Sequence, residues 1–169
     1  MASIINASNS TGLTLSSDLS GVLQLQQNGV ALPALSVAPA FSVYQTSATS
    51  VGTSDTKITF DTEEFDTNNN FASSRFTPTV AGYYQINAQL QPSASYSGGF
   101  IKLYKNGSAY KSGNYSYSGV TFGGWMISSL VYCNGSTDYL EIYGAFTSAQ
   151  STATGATFTW FNGFLARGA

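Results

Sequence analysis

The sequence predicts an all-β protein built as two packed antiparallel sheets, and three observations carry that expectation. Apolar residues recur at period two, Gly, Ser, Thr and Asn interrupt every helical window within a few residues, and turn signals separate the apolar runs. The runs amount to about eight strands. A single layer of that many strands would leave apolar faces in water, so two sheets packed face to face are expected.

Residues 1–38 stand apart, because they hold no aromatic residue while the rest of the chain carries all eleven Phe, all eleven Tyr and both Trp. A segment without large side chains cannot offset its ordering entropy by burying itself, so this extended N-terminal arm is either mobile or bound to another protein. Within it, "SGVLQLQQNGV" sets Val22, Leu23 and Leu25 ahead of an Asn28-Gly29 reversal, and Leu32 and Leu35 follow. These five apolar residues are the candidate anchoring residues of the arm.

A domain over residues 39–169 then begins with the strands "AFSVYQ" and "KITFD", followed by the acidic stretch "FDTEEFDTNNN" and by "RFTPTVAG". The sharpest alternation is "YYQINAQL", with Tyr84, Ile86, Ala88 and Leu90 on one face and Tyr83, Gln85, Asn87 and Gln89 on the other. "GFIKLYK" runs into Asn106-Gly107 and returns through "SAYKSG", a hairpin whose turn residues tolerate positive φ. "WMISSLVYC" and "YLEIYGAF" follow, joined by the polar turn "NGSTD". The last strand, "FTWFNGFLA", sets Phe158, Trp160, Asn162 and Phe164 on one side and Thr159, Phe161, Gly163 and Leu165 on the other. Both sides are largely apolar, which points to a core on one face and a sister subunit on the other, the alternative being a central strand with loops folded across it.

Chemistry is bounded by what is missing. With no His, imidazole acid-base catalysis, His-dependent triads and histidine metal sites are excluded, and Cys133, alone in the apolar run "ISSLVYC", has no base to activate it. An enzyme is not expected, nor a cofactor or resident metal. Six basic residues and a net charge of −2 offer no footprint for a phosphate backbone, so no nucleic acid is expected. No run approaches the roughly 18 apolar residues of a membrane helix, and "MASIINASNSTG" lacks the apolar core of a secretory signal. Asp61, Glu63, Glu64 and Asp66 could hold Ca²⁺ by density alone; a solvated loop guarding a sheet edge accounts for them equally. The Tyr-, Ser-, Gly- and Asn-rich loop "SGNYSYSGVTFGGW" uses the alphabet of adaptable binding surfaces, making Tyr115 and Tyr117, with Tyr96 and Tyr110, candidate receptor contacts.

The order of motifs "PAFSVYQ", "ITFDTEEFDTNNNF", "SRFTPTVAGYYQINAQL", "IKLYKNG" and "FTWFNGFLA", over about residues 39–167, resembles the C1q-like jelly roll of the C1q/tumour-necrosis-factor superfamily. The most specific element is Phe76, Thr77, Pro78, Ala81, Gly82, Tyr83 and Tyr84. The resemblance implies a ten-strand, two-sheet jelly-roll sandwich forming a homotrimer, with the sheet that holds the first and last strands facing the threefold axis. Phe41, Tyr44, Phe158, Trp160, Phe161 and Phe164 are then the candidate trimer-interface residues. No collagen-like Gly-X-Y stalk precedes the domain. In its place, "SSDLSGVLQLQQNGVALPAL" is similar to segments of structural proteins of tailed bacteriophages. That similarity implies a non-enzymatic virion protein on the particle surface, a capsid decoration or cement protein whose arm binds the major capsid protein. The alternative is a fibre tip that binds a host-surface glycan.

Overall fold

The computed structural model describes residues 38–95, 98–116 and 123–169, together with the backbone of residues 26–27 and 30–31. The chain divides into two compact units, Met1–Leu32 and Pro33–Ala169. In the first, β1 (Gln26–Gln27) pairs antiparallel with β2 (Val30–Ala31), Gln26 opposite Ala31 and Gln27 opposite Val30. These pairs bracket Asn28-Gly29, where the sequence places its reversal. Val22, Leu23, Leu25, Leu32 and Leu35 lie outside the described residues.

The second unit opens with β3 (Ala40–Tyr44), β4 (Ser50–Val51), β5 (Thr56–Lys57), β6 (Thr62–Asp66), β7 (Phe71–Ala72) and β8 (Arg75–Phe76). It continues with β9 (Gly82–Leu90), β10 (Gly99–Lys105), β11 (Ser108–Ser116), β12 (Trp125–Cys133), β13 (Leu140–Phe146), β14 (Gln150–Ser151) and β15 (Trp160–Gly168). Eight of these strands have five or more residues, seven of them falling on alternating runs of the sequence and the eighth, β6, on the acidic stretch, and the described residues form no helix. Sheet I runs β12-β9-β15-β3-β6; sheet II runs β11-β10-β13-β8-β7, with β5 also on β13. All pairings are antiparallel, and β4 with β14 makes a small third ladder. The architecture is the two-sheet jelly roll.

Several expectations change: "RFTPTVAG" gives only the short strand β8, and Ser112–Ser116 of the expected loop "SGNYSYSGVTFGGW" form the end of β11. The run "KITFD" contributes only Lys57 to a strand, because the buried Ile58 and Phe60 are held by isolated bonds rather than by a ladder: Ile58 N–H donates to the Ile142 carbonyl (2.9 Å), and Phe60 N–H donates to Ser74 Oγ (2.8 Å), which donates back to the Phe60 carbonyl (3.3 Å). The acidic stretch is not a loop but the edge strand β6, whose charges block further pairing.

The core between the sheets is aromatic at one end. Phe41 stacks on Phe76 (centroids 4.2 Å, 21°) and meets Phe161 edge-on (4.8 Å, 85°), with Phe60, Phe71 and Tyr84 around them. Tyr84 points its hydroxyl back to the Val80 carbonyl at 2.7 Å, closing the loop between β8 and β9. That bond explains the spacing from Phe76 to Tyr84: one buried ring is apolar throughout, and the other needs an acceptor for its polar tip.

Candidate functional site

Strand β15 lies at the centre of sheet I, between β9 and β3. Its period of two sends Phe161 into the core, while Trp160, Asn162 and Phe164 face outward. Phe41 and Phe161, read from the sequence as subunit contacts, are 1% and 0% exposed and belong to the protomer's own core. Both faces of β15 are apolar, and alternation alone does not say which is inside. Tyr44 stands opposite Trp160, both half-buried, and Phe158 and Phe164 are exposed.

Among the described residues nine large hydrophobic side chains are exposed, and seven belong to sheet I or the turn entering β15: Phe65, Tyr83, Met126, Leu130, Tyr132, Phe158 and Phe164. Contiguous exposed apolar patches are where proteins commonly meet a partner, a membrane or a ligand. Met126, Leu130 and Tyr132 were missed from the sequence, although "WMISSLVYC" has the same double apolarity as the last strand, with Trp125, Ile127, Val131 and Cys133 turned inward.

Between these side chains runs a neutral polar row. Gln85 Nε2 donates to Ser128 Oγ (2.9 Å) and Asn87 Oδ1 (3.1 Å), Ser128 Oγ donates to Asn87 Oδ1 (2.9 Å), and Asn87 Nδ2 donates to Asn162 Oδ1 (3.2 Å). Gln89 Nε2 reaches the carbonyls of Thr157 and Phe158. The amides satisfy one another across three strands, so covering them with a neighbour leaves few orphaned groups.

Charge is partitioned between the sheets. Lys57, Arg75, Lys102, Lys105 and Lys111 lie on strands of sheet II; Arg167 is the only basic residue on a strand of sheet I. On sheet II, Glu141 is buried between Lys57 (2.8 Å) and Arg75 (2.9 Å), and Lys102 pairs with Asp55 and Lys105 with Asp138, each at 2.9 Å. Burial pushes Glu141 up, but the bonds from Lys57 and Arg75 outweigh it and hold the carboxyl below its usual range.

The acidic residues near β6 have separate structural partners. Asp61 accepts the Thr46 (2.6 Å) and Ser47 (2.8 Å) N–H groups, Asp66 those of Asn68 (3.3 Å) and Phe71 (2.7 Å), and Glu64 the Ser42 hydroxyl (2.7 Å). No cluster of metal-ligating side chains occurs among the described residues. Cys133 is buried, and burial pushes its thiol to about 11. Tyr110 and Tyr115 are exposed on the edge strand β11, five residues apart and so about 16 Å along it; Tyr115 stacks on Phe100 at 5.7 Å. Tyr96 and Tyr117 lie outside the described residues.

The strand order and the placement of the first and last long strands side by side in one sheet define a C1q/TNF-type jelly-roll domain, and solved structures agree. The globular domain of zebrafish complement 1qA superposes with a TM-score of 0.62 at 19% identity, over 78% of this chain and 99% of that one. Murine APRIL gives 0.58 at 9% identity, over 76% and 98%. Eiger TNF from S. frugiperda gives 0.60 at 10%, over 78% and 94%. No protein-family model matches the sequence, and no curated protein does.

Proposed function

We propose that the chain is a non-enzymatic, homotrimeric structural protein of a tailed-bacteriophage virion, a decoration protein on the capsid surface held by its N-terminal arm. The observation that supports assembly is the outer face of sheet I, which gathers seven exposed hydrophobic side chains around a self-satisfied amide row. Its central strands carry no carboxylate and a single cation, Arg167, so burial against a sister copy requires little desolvation of ions there. The virion role draws on the similarity of the arm to phage structural segments. Three arms held by one trimer would bind a particle with avidity that a single arm lacks.

The exposed Tyr110 and Tyr115 favour a second reading, a fibre tip that binds a host-surface glycan. One pair of experiments separates the readings. Light scattering after size exclusion on the full chain and on a chain starting at Ala38 is expected to give a trimer for both, with only the full chain binding capsids stripped of it. A monomer after truncation would move the assembly contact into the arm. Binding to a glycan array without capsid binding would replace decoration by host attachment.

A further inference from the structure

We infer, resting on the second reading above, that the outer face of sheet II holds one anionic group, a carboxylate or a phosphate, of a host-surface polysaccharide between Arg75 and Lys57. Lys57 on β5 and Arg75 on β8 converge on one oxygen of Glu141 in β13, Lys57 Nζ and Arg75 Nε donating to Oε1 at 2.8 and 2.9 Å. Glu141 is 2% exposed, so two cations answer one buried carboxylate and one positive charge is left over. Asp55 and Asp138 do not neutralise it, because Lys102 holds the first and Lys105 the second.

Arg75 is also fixed in orientation. Its Nε is committed to Glu141, and its guanidinium sits over the Tyr139 ring, 3.8 Å from the centroid. Its two terminal nitrogens make no hydrogen bond among the described residues, and the side chain is 42% exposed, so a planar fork of N–H donors meets water already positioned for a two-oxygen anion. The turn that delivers Arg75 is strained. Ser73 and Ser74 join β7 to β8 with φ of 51° and 56°, a double positive φ that hairpins normally give to Asn and Gly. Ser74 Oγ holds it by bonding both the N–H and the carbonyl of Phe60, and Lys57 Nζ holds it by donating to the Ser73 carbonyl at 2.9 Å. Strain that the surroundings enforce in this way gathers at binding sites.

Charge and surroundings set the ligand class. A surplus of one charge suits a single anionic group rather than a polyanion such as nucleic acid. Period two places Phe100 and Tyr104 of β10 and Tyr143 of β13 on the outer face, with Phe100 stacked on Tyr115 and Tyr104 on Tyr143. Rings therefore line the sheet from β11 toward Arg75, over three strand spacings or about 14 Å. An extended saccharide can lie along them and place its charged group in the fork.

The test is an NMR titration of the full-length protein with trigalacturonic acid, neutral maltotriose and glycerol 3-phosphate. One of the two acidic probes is expected to shift the Arg75 Nε–H and Tyr143 ring signals to saturation, its identity telling carboxylate from phosphate, while maltotriose leaves Arg75 Nε–H unmoved. Arg75→Lys keeps the charge and loses the fork, so it should weaken that binding about tenfold or more. Arg167→Gln, which removes the same charge from sheet I, should leave it unchanged. Wild-type Arg75 signals that neither acidic probe moves would overturn the site without recourse to a variant. Glycan-array binding undiminished in Arg75→Lys would overturn it and leave host attachment standing, whereas a wild type that binds no glycan on the array would overturn both.

Discussion

At the scale of single residues, Asp61 ties the loop after β3 to the start of β6 through two backbone N–H groups and the Thr46 hydroxyl (2.9 Å). Desolvation raises its pKa, but these donors outweigh it and hold the carboxyl at about 2, against 3.8 for a free aspartate. A carboxyl depressed on folding contributes stability above its unfolded pKa and loses it as pH falls through the folded one. The amide signals of Thr46 and Ser47 should accordingly shift between about pH 4 and 2, and Asp61→Asn should abolish that titration; signals flat over this range would mean that the bonds do not form in solution. Nothing in the acidic stretch distinguished Asp61 from Glu63, since which carboxylate meets two backbone donors depends on where the Thr46-Ser47 turn falls. The same limit explains Phe41 and Phe161. Alternation groups residues into faces, but assigning a face to core or surface needs the opposite sheet.

At the scale of elements, hairpins were the most legible feature because their signal is local. Asn106 and Gly107 have φ of 54° and 77°, the double positive φ of a type I′ turn, between β10 and β11 as expected. Asn106 also donates to Asp138 (2.7 Å) and accepts the Tyr139 N–H (2.9 Å), so the turn fastens the loop before β13. Gly107→Ala should cost about 1 kcal/mol, seen as a lower urea midpoint at unchanged slope. A neutral result would mean that the turn relaxes without strain. By contrast, "NGSTD" gives no hint of its real task. It connects β12 in sheet I to β13 in sheet II, with Asn134 Oδ1 accepting the N–H groups of Ser136, Thr137 and Asp138 at 3.0 Å each. A corner between sheets and a hairpin use the same turn residues, and what separates them is the distant choice of partner strand. The β12 pairing with β9 is nonlocal, so it leaves no mark in the turn.

At the scale of the whole molecule, the two sheets divide labour by charge. Sheet II keeps five cations, most of them paired with carboxylates, in contact with water, while sheet I concentrates exposed apolar groups around neutral amides. The two faces of β15 then make opposite predictions for one chemical change. Phe161→Asp puts an unpartnered charge into a core position that is 0% exposed and removes the ring that meets Phe41, so it should cost about 3–5 kcal/mol and yield little folded protein. Phe164→Asp, three residues along and 49% exposed, should leave the protomer's far-ultraviolet dichroism intact. Its effect belongs to the assembly: the new carboxylate must be desolvated between copies, and the one cation on the central strands, Arg167, lies past the β15 bulge, so the scattering mass should fall from trimer to protomer. If Phe164→Asp kept the trimer mass while Phe161→Asp unfolded, the outer face of β15 would be solvent-exposed in the assembled particle, and the apolar residues of β12 and β6 would have to carry the contact without it.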